Sequence, residues 1–89
     1  MTFQSINPAT GEVIETFDAY SREQVNEALD QARSAFLRWR TTSFAERSAL
    51  LRRVAATLRE QKTNLARIAT LEMGKPIIES EAEIEKCAW

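Results

Sequence analysis

Phe3-Gln4-Ser5-Ile6-Asn7-Pro8-Ala9-Thr10-Gly11-Glu12-Val13-Ile14-Glu15-Thr16-Phe17 is the stretch on which the reading of the fold turns. Its middle is turn chemistry. Asn7 can bond its own downstream backbone, Pro8 fixes φ, and Gly11 tolerates a positive φ. Residues 3–6 alternate weakly, with Phe3 and Ser5 on one side and Gln4 and Ile6 on the other. Val13 to Phe17 is rich in β-branched and aromatic residues and reads as a second strand. The expectation is a β-hairpin over residues 3–17. Two strands alone are marginal in water, so this hairpin needs another surface to lie against.

Downstream the period changes from two to three and four. Ser21-Arg22-Glu23-Gln24 is a capping-box pattern, followed by Val25, Ala28, Leu29, Ala32, Ala35, Phe36 and Trp39 on one stripe. This predicts a helix over about 22–40. Ser43-Phe44-Ala45-Glu46 is a second box, opening a helix over 44–60 with Leu50, Leu51, Val54, Ala55 and Leu58 on one face. The polar run Glu60 to Thr63 is a candidate break, so the helices number three or four. Leu65, Ile68, Ala69 and Glu72 then share a face over 62–73, and Gly74 before Pro76 ends that helix. The last helix, 77–88, places Ile77, Glu81, Ile84 and Ala88 together. The fold class is therefore α+β: a hairpin followed by three or four amphipathic helices. A hairpin without a sheet, and a last helix without a stop signal, lead us to expect a fold that continues past Trp89.

Composition is that of an ordinary globular chain, 44% hydrophobic and 28% charged over 89 residues. A chain this short buries only about 60–65% of its unfolded surface, so its core is expected to be marginal. Twelve basic against thirteen acidic side chains give a net charge of −1, no field to draw in nucleic acid or anionic lipid. Arg38, Arg40, Arg47, Arg52, Arg53 and Arg59 cluster, with only Trp39 and Phe44 among them, too few aromatic residues for a base-stacking strip. No shift with RNA or DNA is expected. No signal peptide or membrane-length apolar run is visible, and a single cysteine suits a reducing compartment. The expected location is cytoplasmic.

Few residues are candidates for chemistry. Cys87 is the one nucleophile by type, but it falls late in a helix after four glutamates, and the chain has no histidine to pair with it. It is expected to be a small buried residue. Glu79/Glu83 and Glu81/Glu85, each four apart, are expected to form a solvated acidic face. One Cys and no His exclude a closed zinc site. Gly11 and Gly74 are the only glycines, so no glycine-rich phosphate loop can be written, and Gly74-Lys75-Pro76 lacks the following Ser or Thr of such a loop.

Together these segments resemble the opening of the aldehyde dehydrogenase superfamily. Asn7-Pro8-Ala9-Thr10-Gly11-Glu12 resembles the family's N-P-x-T-G-E start, and Ala35-Phe36 before Trp39 its A-F-x-x-W pattern. Arg47 with Leu50-Leu51 is similar to its R-x-x-x-L segment, and Glu72-Met73-Gly74-Lys75-Pro76 to its E-x-G-K-P. The resemblance spans essentially the whole chain, in wording nearest to bacterial succinate-semialdehyde dehydrogenases.

The resemblance implies that residues 1–89 are the incomplete N-terminal part of the cofactor-binding domain of an α/β enzyme. That enzyme oxidises an aldehyde, here succinate semialdehyde, to the acid with NAD or NADP. In the family a cysteine thiolate attacks the carbonyl, an Asn and a backbone N–H hold the oxyanion, and a Glu-activated water hydrolyses the thioester. All of those residues belong beyond position 89. No catalytic role passes to Cys87, no cofactor is expected to bind this stretch, and it is expected to be inactive alone. Some members also hold a structural monovalent cation through a backbone carbonyl at the position of Ile6 and a carboxylate at that of Glu72, with further ligands from later residues. The competing reading is a small helical module for self-association or docking, without enzymatic activity. Either way the expected partner is a second copy or the remainder of the enzyme, and the chain is expected to be oligomeric.

Overall fold

The computed structural model describes residues 1–89, in the order β1 (Thr2–Ile6), β2 (Val13–Asp18), α1 (Arg22–Trp39), α2 (Phe44–Glu60), α3 (Lys62–Met73) and α4 (Ile77–Ala88). The strands pair antiparallel, Phe3 opposite Phe17 and Gln4 opposite Thr16. The register slips between Ser5, which faces Glu15, and Ile6, which faces Val13. Ile14 is the extra residue of a bulge there. Asn7 organises the turn as its chemistry requires. Its Oδ1 accepts from the Ala9 N–H at 2.9 Å and its carbonyl from the Gly11 N–H at 2.8 Å. Gly11 sits at φ +77°.

Both capping boxes form. Ser21 Oγ accepts from the Gln24 N–H at 3.2 Å while Gln24 Oε1 takes the Ser21 N–H at 2.8 Å. Ser43 and Glu46 repeat the exchange at 3.2 and 2.7 Å. The polar run resolves into a break at Gln61 (φ −94°, ψ 8°), so the helices number four. Gly74, at φ +73°, caps α3 in the left-handed region.

What little core exists lies where α2, α3 and α4 meet. Only Ala66, Ser80 and Ala88 are buried, all small, and their size lets the α3 and α4 backbones approach. This turns the α3 face from the expected one and exchanges one residue of the α4 face, Ser80 for Ile77. On α3 the inward residues are Leu65, Ala66, Ala69 and Thr70, while Ile68 and Glu72 face out. On α4 they are Ser80, Glu81, Ile84 and Ala88, with Ile77 outside. The reason is a polar contact between small residues: Thr70 and Ser80 share a hydroxyl hydrogen bond of 2.9 Å across the α3–α4 interface.

The chain is a slab measuring 47 × 37 × 14 Å, with a radius of gyration of 17.3 Å where a compact domain of this length has about 12 Å. Fourteen ångströms is the depth of one layer of helices. The whole stripe of α1 is exposed, Phe36 at 54% and Leu29 at 63%. Domains close when a second layer covers such a face.

Candidate functional site

The most developed local structure is the corner between α1 and α2. Arg47, one turn into α2, reaches back over the end of α1. Its Nη2 donates to the carbonyls of Trp39 at 3.2 Å and Arg40 at 3.1 Å, and its Nε to Thr42 Oγ1 at 3.0 Å. The carbonyls at a helix C-terminus lack intrahelical donors and carry partial negative charge; Trp39's also accepts from the Thr42 N–H at 3.1 Å and hydroxyl at 2.7 Å, and the guanidinium adds charge to that cap. The same cation lies within cation–π range of two rings, 5.6 Å from the centroid of Trp39 and 5.9 Å from that of Phe44. Sequence reading placed Arg47 only in a basic cluster and a family pattern. Its place seven and eight residues after the carbonyls it caps was the available signal.

Beside this clasp opens a concavity of about 550 Å³ lined by Ala32, Ala35, Phe36, Arg38, Trp39 and Thr42. It is apolar, and it holds no nucleophile, carboxylate or imidazole. It can take up hydrocarbon; its one hydroxyl, Thr42, is held by the Trp39 carbonyl and Arg47 with no base beside it to activate it.

The residues singled out for chemistry are spread elsewhere. Cys87 is exposed, in correction of the buried position expected for it. The α4 face that meets α3 runs through Ser80, Ile84 and Ala88, and Cys87 lies about 100° around the helix from Ala88. The glutamates of α4 are partly engaged in ion pairs. Glu85 accepts from Arg59 of α2 at 3.0 Å and lies 3.7 Å from Lys62 of α3. Glu83 holds Lys75 at 2.8 Å. The Arg59 hydrogen bond draws the Glu85 carboxyl below its ordinary range, and the Glu83 hydrogen bond raises Lys75. These groups tie α4 to the rest of the slab.

The expected cation ligands flank one contact. Pro8 of the hairpin loop touches Gly74 at the end of α3, and Ile6 and Glu72 each lie two residues before that contact. The chain therefore brings the hairpin turn and the last turn of α3 together. Glu72 takes part in none of the ion pairs. Hard cations take about six or more oxygen ligands, and no cluster of three carboxylate, thiol or imidazole groups exists to complete a set. Ile6 and Glu72 would supply two of the ligands of such an ion, the others falling to residues outside this chain. The two glycines do not make a dinucleotide cradle, since one shapes a hairpin loop and the other caps a helix. No helix is long and apolar enough to cross a membrane.

A bulged hairpin, two capping boxes, the arginine-clasped corner and the left-handed glycine stop follow one another along this chain. The sequence profile of the aldehyde dehydrogenase family matches residues 1–89, and this chain belongs to that family. Among its relatives is a probable succinate-semialdehyde dehydrogenase [NADP(+)] of Synechocystis, 43% identical over 88 residues, which are 99% of this chain and 19% of that protein. Succinate-semialdehyde dehydrogenase [NADP(+)] 1 of Mycobacterium tuberculosis is 40% identical over the same shares. In structure the chain superposes on succinic semialdehyde dehydrogenase of Streptococcus pyogenes, solved with NADP+, with a TM-score of 0.87 and 36% identity over 97% of this chain and 19% of that one. The NADP-bound glyceraldehyde-3-phosphate dehydrogenase of Methanocaldococcus jannaschii gives a TM-score of 0.84 and 34% identity over 93% of this chain and 18% of that one. The chain thus spans about a fifth of the length of these relatives.

Proposed function

We propose that these residues form the N-terminal portion of an NADP-dependent aldehyde dehydrogenase that oxidises succinate semialdehyde to the dicarboxylate. The observation that carries this is likeness over almost the whole chain to proteins named for that substrate and cofactor, at up to 43% identity. The portion is scaffold. Its residues build a hairpin and a helix layer, and the thiolate, the oxyanion donors and the water-activating base come from other polypeptide. Cys87 is no substitute, since the α4 macrodipole disfavours an anion in the last turn and no base stands beside it. The lone free thiol suits the cytoplasm.

The test has two arms. The purified chain, given succinate semialdehyde with NADP+ or NAD+, is expected to form no reduced cofactor. A chimera in which it replaces the equivalent residues of the Synechocystis relative is expected to turn over that aldehyde, with NADP+ preferred. Turnover by the chain alone, lost on alkylating Cys87, would overturn the reading. So would a folded chimera that binds NADP+ yet leaves the aldehyde untouched.

A further inference from the structure

We draw no further inference here: the strongest candidate, the apolar concavity beside Phe36 and Trp39 at the end of α1, opens on the unpartnered face of that helix, and nothing in the structure shows what covers it.

Discussion

Gly74 lies against the ring of Pro8: a Cβ on this glycine would stand 3.0 Å from Pro8 Cγ. A left-handed cap at the end of α3 and a proline in a hairpin loop, sixty-odd residues apart in sequence, thereby fix where the hairpin sits. Gly11 adopts a similar conformation with nothing within 4 Å of its missing Cβ. The two glycines should respond differently to substitution. Gly11→Asn meets only the backbone preference and is expected to cost a few tenths of a kcal/mol. Gly74→Asn adds the collision with Pro8 and is expected to cost about 1–2 kcal/mol more. Urea denaturation of both variants measures the difference, and equal costs would deny the contact.

Arg47 is expected to be irreplaceable by lysine. An ammonium is a point charge, and it cannot reach two carbonyls and a hydroxyl from one plane while keeping both rings in range. Arg47→Lys should cost about 1–2 kcal/mol and shift the emission of Trp39. A melt indistinguishable from the parent would count against the clasp.

Thr70 and Ser80 supply a double-mutant cycle. Ser80 is fully buried and its one hydroxyl partner is Thr70. Ser80→Ala alone strands a half-buried hydroxyl and should cost about 1–2 kcal/mol, whereas adding Thr70→Val should recover much of that loss. Additive costs would show that the two groups do not interact.

Acid should loosen α2 at its start and α4 at its ion pair. Glu46 has its carboxyl lowered from 4.5 by the Ser43 backbone N–H, then by the Ser43 side chain, and Glu85 is lowered by Arg59. A depressed carboxyl contributes stability that is present above its unfolded value and lost as pH falls through its folded one. Lys75, raised from 10.5 by Glu83, behaves oppositely: its contribution is complete below 10.5 and lost above. Circular dichroism between neutrality and about pH 3 should show helix loss that Glu46→Gln makes shallower. An unchanged titration in that variant would remove the capping box from the account.

The elements themselves were legible because their causes are local. Ser21 with Gln24, Ser43 with Glu46, the Asn7 turn and the Gly74 stop each exchange hydrogen bonds within about four residues, so spacing alone announces them. Faces were less legible. Ile68 and Ile77 fit an apolar stripe, yet they are 59% and 46% exposed, while Ser80 is buried. Only the close crossing of α3 and α4 explains that exchange. Cys87 was misjudged for the same reason, since residue type says how well a side chain tolerates burial but not which way its helix is turned.

Sequence alone determined that a hairpin is followed by amphipathic helices, and the family to which the chain belongs, for the turns and caps that punctuate these elements are made by residues a few positions apart. Tertiary structure alone decided that Arg47 closes a corner, that Arg59 reaches Glu85, that small residues make the only core, and that α1 stands uncovered as one face of a single layer. Those outcomes depend on which surfaces meet across long separations. A periodic apolar stripe demands a partner but does not choose one.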